Sequence, residues 1–441
     1  MGGGGGPTKT FTLERVDGRE VPVQGDEVAG FARVDQSNTF LVNSMRSTTN
    51  AAFPLTQAAE NTDPADTWPD AQVAVGDGPT MNGNAAPAGI NRVGVRKWDM
   101  SADGTQHIFG LENNAGVVLS RVGGTDLANT EDPTTLNANE QTGDPVLVNV
   151  EMGSNVAIHP DGSVAFAVGD FNNLPVTANN QFLPFTKYNL SATGVPQATT
   201  AQHIQGDDPF RGQGTSLDVG GDFLVSGPGP QSSGDAEFVT QLYNINAPGW
   251  ETDGVDGIRG ASFNFAAGEA GDGACVRITD DGEHLLYTNA VNGSFKILKT
   301  SAAAFPAPGS VMEVVSEVTV DIPEDVTAVG EFGDITNIDD DNILVVLSSQ
   351  DNSAGETGTR LIAYAGRPNN LSLIHNSRWE QDDQAIGAIS DIRITKAAVN
   401  SALTDPTIKA PQPEEQVLVT VSGNLNDATL PTNVVTYNLN N

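Results

Sequence analysis

Seven positions spaced by about sixty residues set the chemistry this chain can offer: Arg33, Asp99, Ala157, Asp218, Arg277, Asn337 and Arg393. Each stands one residue before an aligned apolar residue, Ile or Val except for Met100 after Asp99, in a recurring hairpin pattern. Three of the chain's 21 basic residues fall in this set. A planar guanidinium is a two-pronged donor for a carboxylate or other oxyanion, so converging arginines could hold an anionic ligand. Half-buried charges are more often paired with each other. Arg33 is then expected beside Asp99, and Arg277 beside Asp218. Arg393 is the exception. Its neighbour in the series is Arg33, a like charge, so it requires Asp391, water or a ligand.

The segments leading into these positions add Arg96, Lys97, Glu151, Phe210, Arg211, Asp272 and Asp334. The candidate ligand-binding set is therefore Arg33, Arg96, Lys97, Arg211, Asp334 and Arg393, taking an anionic or carboxylate ligand. No catalytic residue, cofactor residue or metal ligand stands out. The chain has no G-x-S-x-G nucleophile motif. His107, His159, His203, His284 and His375 are scattered without ligand spacing. IDDDN at 338–342 and TDGVDG at 252–257 carry oxygen ligands but lack the spacing of a calcium loop. Calcium is thus at most a weak match, and Asp339 to Asn342 reads as a hairpin turn. Cys275 is the single cysteine. It excludes an internal disulfide and reads as a buried structural thiol.

These residues must be positioned by short strands. VRITDDGEHLLYTN at 276–289 reads strand, tight turn, strand. Related hairpins are GFARVDQSNTFLVNS at 30–44, KWDMSADGTQHIFGLE at 97–112, NVAIHPDGSVAFAVGD at 155–170, TSLDVGGDFLVSG at 215–227 and ITNIDDDNILVVLSS at 335–349. SDIRITKAAVN at 390–400 with QVLVTVSGN makes a seventh. Gly153, Gly214, Gly273 and Gly333 each precede an aligned Ile or Val by five residues. Such a glycine is expected to supply a positive φ or a close approach. A third strand follows each hairpin, as in SFKILKT at 294–300. A fourth comes before the next glycine, as in PVLVNVEM at 145–152 and EVTVDIP at 317–323.

Four strands every sixty residues, seven times, predict an all-β, seven-bladed β-propeller with four-stranded blades. The last blade lacks a fourth strand. KTFTLERV at 9–16 is expected to fill that place beside the C-terminal strand and close the ring. Residues 9–441 are then one propeller domain, and residues 1–8 a flexible Gly-rich tether. Long connections between second and third strands gather on one face: TTNAAFPLTQAAENTDPADTWPD, GDFNNLPVTANNQFLP, SGPGPQSSGDAE and SSQDNSAGETGT.

The formal net charge is −35. It opposes binding to nucleic acid or an anionic membrane surface. Scattered acidic residues with lysine scarcer than arginine fit a marine or halophilic setting, where salt screens self-repulsion. No run approaches the length of a membrane helix.

TDDGEHLLYTN followed by SFKILKT resembles the repeat of YVTN-type, lactonase-like seven-bladed propellers. Only Tyr287, Thr288 and Asn289 carry the full signature. That resemblance implies the same fold, shared by enzymes and binders alike. MGGGGGPTKT is similar to the segment that follows the lipid-bearing cysteine of bacterial lipoproteins, with Met1 standing where that cysteine would be. The resulting expectation is an extracellular or envelope protein without catalysis. It would bind a protein or glycan partner through its loop-rich face or serve in a surface assembly, with a lipid anchor at the native N-terminus. The alternative is a lactonase-like hydrolase acting on a small acidic substrate at the channel mouth.

Overall fold

The computed structural model describes residues 9–21, 31–34, 40–43, 46–47, 55–58, 72–74, 93–103, 106–111, 116–120, 134–136, 152–169, 185–190, 202–204, 216–227, 240–246, 259–263, 272–290, 292–300, 312–321, 326–351, 359–381, 384–385, 389–398, 415–423 and 432–440. The expected tether at 1–8 lies outside them, as does most of each long connection. Every described regular element is a strand.

The chain enters through β1 (Thr12–Val21). A first sheet follows, made of β2 (Phe31–Val34), β3 (Phe40–Asn43), β5 (Leu55–Ala58) and β6 (Gln72–Ala74). β4 (Arg46–Ser47) leaves it to pair with β7 (Val93–Met100) of the second sheet. That sheet continues through β8 (Gln106–Leu111), β9 (Gly116–Ser120) and β10 (Thr134–Leu136). The third holds β11 (Met152–Ile158), β12 (Val164–Gly169), β13 (Phe185–Asn189) and β14 (Gln202–Ile204). The fourth holds β15 (Ser216–Gly220), β16 (Phe223–Gly227), β17 (Thr240–Asn244) and β18 (Arg259–Phe263). The fifth holds β19 (Asp272–Ile278), β20 (His284–Asn289), β21 (Ser294–Lys299) and β22 (Glu313–Thr319). The sixth holds β23 (Val326–Asn337), β24 (Ile343–Asp351), β25 (Arg360–Arg367) and β26 (Asn370–Arg378). A small hairpin, β27 (Glu380–Gln381) and β28 (Gln384–Ala385), leads to β29 (Ile389–Ala398), β30 (Glu415–Gly423) and β31 (Thr432–Asn440). β1 adds to this last sheet antiparallel to β31, with Leu13 opposite Leu439.

Each sheet is an antiparallel meander. The first strands of successive sheets lie side by side from β7 through β11, β15, β19 and β23 to β29. The apolar core runs between neighbouring sheets. Phe223, Val225 and Leu242 of the fourth sheet pack with Val276, Leu285 and Tyr287 of the fifth. Leu286 and Phe295 of the fifth meet Val345, Leu347 and Tyr364 of the sixth. Leu344 and Val346 of the sixth share a cluster with Ile392, Val419, Val435 and Leu13. Inner strands therefore bury both faces: β15 and β16 are buried throughout. This is why they read as near-continuous apolar runs instead of alternating. Outer strands β22 and β26 have no fully buried residue.

Three strand expectations change. Leu55–Ala58, expected as part of a loop insertion, is the third strand of the first sheet. The outer strand of the second sheet is β10, not 145–152; residues 145–151 lie outside the described residues. The sixth sheet is also shifted by three residues. In the fifth, residues 273–275 bulge opposite Thr288, whose Oγ1 accepts the Cys275 N–H at 2.9 Å. In the sixth, residues 330–332 bulge opposite Ser348, whose Oγ accepts the Phe332 N–H at 3.1 Å. Arg277 is thus matched by Asp334, not by Asn337. The cause is a longer hairpin: Ile278 pairs with Leu285, whereas Ile335 pairs with Val345, three residues further on. The expected glycine role changes with it. Gly333 has ordinary φ and serves close approach, a Cβ there meeting Leu347 Cδ2 at 2.9 Å, while Gly330 carries the positive φ of 83°.

Turn chemistry ties the sheets together at one end. Gly282 closes the Thr279–Gly282 turn with φ 76° and donates to Thr279 O at 2.7 Å. It lies against the fourth sheet's turn, where Gly221 N donates to Asp280 O at 2.9 Å. A Cβ on Gly282 would sit 2.7 Å from Gly220 O. Gly282→Ala is expected to cost about 1–3 kcal/mol through strain and this backbone collision. Urea unfolding followed by tryptophan fluorescence checks it.

Candidate functional site

The first strands of the second to seventh sheets converge on a cavity of about 150 Å³. Its charged lining is Asp99, Asp218, Asp280, Asp334, Arg393 and Lys396. It lies at the hairpin-turn end, where Ala102, Pro160 and Asp280 also contribute. The connections between second and third strands leave from the other end.

Three of the aspartates repeat one contact. Asp99 Oδ2 accepts Ile158 N–H at 2.9 Å, joining β7 to β11. Asp218 Oδ2 accepts Ile278 N–H at 2.9 Å, joining β15 to β19. Asp334 Oδ2 accepts Ile394 N–H at 2.7 Å, joining β23 to β29. A first strand's inner edge has main-chain donors with no sheet partner, and a buried donor must find an acceptor. The carboxylate of the preceding sheet supplies it. All three aspartates are buried.

Arg393 is their counter-ion. NH2 lies 3.8 Å from Asp99 Oδ1, and NH1 lies 3.9 Å from Asp218 Oδ1. It reaches from the last sheet to the second and fourth. Burial alone would lower its pKa, but Asp99, Asp391, Asp334 and Asp218 outweigh that and push it above the usual arginine value. Burial pushes Asp218 up to about 6 against the pull of Arg277 and Arg393. Burial likewise raises Asp334, with Arg393 and Arg277 opposing.

The candidate set from sequence divides. Asp334 and Arg393 meet at the cavity. Arg96 and Lys97 lie within β7 rather than in a preceding loop, upstream of Asp99 and away from the hairpin turn. Arg33 lies in β2, but its side chain is not among the described ones. Arg211 lies outside the described residues. Arg277 acts electrostatically on Asp218 as expected, but its direct hydrogen bonds go elsewhere: Nη1 donates to Val276 O at 2.9 Å and to Ser216 Oγ and Leu217 O at 3.4 Å. Main-chain oxygens of the inner edge are closer to it than the carboxylate. Asp280 and Lys396 were not singled out, since nothing in spacing marks a turn residue as facing the axis. The signal for Asp99 and Asp218 was their place one residue before an aligned apolar position.

Other centres resolve structurally. Cys275 is buried, its thiol pushed up by desolvation, with Sγ 3.5 Å from Gly333 O. Asp339 Oδ1 accepts Asp341 N and Asn342 N, both at 3.0 Å, so IDDDN is a turn. Among the described residues, no group of three or more His, Cys, Asp or Glu is placed to hold a metal ion. Among the same residues, no helix is long and apolar enough to cross a membrane.

Comparison with known proteins defines the fold. No family model matches the chain, and no curated protein matches it. Solved structures do. The β-propeller domain of Myceliophteria thermophila Cps50 (Swd1) aligns with TM-score 0.50 at 8% identity, over 95% of this chain and 98% of that one. A chain of the mitotic checkpoint complex aligns with TM-score 0.52 at 10% identity, over 99% and 95%. Chaetomium thermophilum Raptor aligns with TM-score 0.50 at 11% identity, over 98% of this chain and 29% of that one. The protein is a β-propeller. At such identities the likeness is of fold alone.

Two expected outcomes follow from the charge cluster. Arg393→Met removes the guanidinium that faces Asp99 and Asp218 and is expected to cost about 3–5 kcal/mol at pH 8. The loss should shrink at pH 5 as Asp218 takes up a proton, read from urea midpoints at both pH values. Asp218→Asn retains an oxygen for Ile278 N–H but removes the titration. Asp218's folded value lies above that of an unfolded aspartate, so its protonation favours folding at about pH 4. That contribution is lost as pH rises through about 6. Between pH 4 and 7 the parent should therefore lose about 2–3 kcal/mol more than Asp218→Asn.

Proposed function

We propose that this chain is a closed seven-bladed propeller that acts without catalysis, as a rigid display scaffold for a protein or glycan partner. Closure is supported by two contacts. β1 completes the sheet of the C-terminal strands, and β2 packs on β29 and β30. Lys9 Nζ, 2.7 Å from Asp339 Oδ2, ties the entry to β1 to the sixth sheet's turn. The Gly-rich start then serves as a tether to an envelope, with a lipid anchor at the native N-terminus. The acidic surface suits extracellular work in high salt. The long connections at 170–184, 228–239 and 352–358 carry recognition, as loops on rigid scaffolds commonly do.

The observation that carries this reading is the engagement of the channel carboxylates. Asp99, Asp218 and Asp334 each spend one oxygen holding the next sheet, and Arg393 faces Asp99 and Asp218. Groups spent on structure are poorly suited to proton transfer.

A second reading, the lactonase-like hydrolase suggested by the YVTN resemblance, draws on Asp218. A carboxylate at about 6 that lines a cavity is in the range of a general base. A pH-stat panel of γ-, δ- and acyl-homoserine lactones separates the two. Hydrolysis at the buffer rate is expected. Turnover that vanishes in Asp218→Asn would establish the hydrolase and end the scaffold reading.

A further inference from the structure

We propose that the cavity at the hairpin-turn end binds a small zwitterion of the α-amino acid class. The site lies away from the connections assigned to partner display and does not rest on that assignment.

The argument starts from donors and acceptors left over. Arg393 Nε is enclosed and, among the described residues, has no hydrogen-bond partner. Its terminal nitrogens stand 3.8 and 3.9 Å from the carboxylates, beyond hydrogen-bond distance. An unmet buried donor on a guanidinium is costly. Asp99 and Asp218 each use Oδ2 for the next sheet, and among the described residues their Oδ1 atoms make these long contacts to Arg393 alone. Lys396 and Asp280 also line it, close enough for the lysine to act on the aspartate's ionisation. The cavity lining thus brings charged donors and carboxylate oxygens together at more than hydrogen-bond distance from one another.

Charge decides the ligand class. A simple anion drawn to Arg393 and Lys396 would also face Asp99, Asp218, Asp280 and Asp334. A simple cation drawn to those carboxylates would face Arg393 and Lys396. A zwitterion adds no net charge to a partly buried site. Its carboxylate would be taken by Arg393 and Lys396, as a fork and a point charge. Its ammonium would be taken by Asp280 and the spare oxygens of Asp218 and Asp99. Ile158, Ile278, Ile335 and Ile394 give apolar wall for a short side chain. A cavity of about 150 Å³ matches a ligand near benzene in size, which admits the smaller amino acids and excludes oligomers.

The test is isothermal titration of the full chain at pH 7.5 with L-alanine and with L-threonine, alongside acetate and methylammonium as the separate halves. Saturable binding of at least one amino acid below 10 mM is expected, with each half at least tenfold weaker. Asp280→Asn and Lys396→Met are the variants of choice, because neither side chain makes a described inter-sheet hydrogen bond. Each should keep the parent's circular dichroism and melting temperature and bind the amino acid at least tenfold more weakly. The proposal is overturned by any of three results: acetate or methylammonium binding as tightly as the amino acid, no saturation by either amino acid, or both variants binding like the parent.

Discussion

A buried main-chain N–H on an open strand edge has to be answered, and in this propeller a carboxylate from the neighbouring sheet answers it. Asp99, Asp218 and Asp334 do so for Ile158, Ile278 and Ile394. Each contact crosses between sheets some sixty residues apart. It replaces water that the packed interior excludes and sets the relative height of adjacent first strands. The apolar clusters between sheets supply most of the burial, but they are tolerant of sliding. A directional hydrogen bond to a charged acceptor is not.

That solution creates its own difficulty. Three carboxylates gathered near one axis repel each other and lose hydration. Arg393 resolves part of it from a sheet that would otherwise touch neither the second nor the fourth. Asp218 resolves part by holding its proton up to about 6. Arg277, though near, spends NH1 on main-chain and hydroxyl oxygens. The cluster therefore sits between two states of charge near pH 6, and it lines the cavity. The two ends of the same strands are in this way given different tasks. The turn end is dense, polar and tightly packed, backbone against backbone, as at Gly220 and Gly282. The other end carries connections whose length the packing does not constrain.

The sheet order was largely legible, because Asp-Gly and Gly-Gly turns between apolar runs mark hairpins locally. Hairpins at 155–170, 215–227 and 276–289 agree with β11–β12, β15–β16 and β19–β20. The sixth repeat misled, since a hairpin three residues longer preserves the spacing of glycines while moving the strand beneath them. Asn337 took the place that Asp334 holds. A third strand hidden in a polar stretch, Leu55–Ala58, was also illegible: its partners, not its composition, make it a strand.

By itself the sequence determined the all-β class, the sixty-residue period and the recurrence of charged residues one position before an aligned apolar one. Those are consequences of local chain chemistry: turn residues, strand periodicity and spacing. Which charges meet was decided only by the tertiary structure. Arg393 is brought beside Asp99 and Asp218, distant in the chain, in addition to its sequence neighbour Asp391. The cavity opens at the turn end rather than among the long connections. Both depend on six strands from distant parts of the chain converging on one axis, a geometry that no single repeat contains.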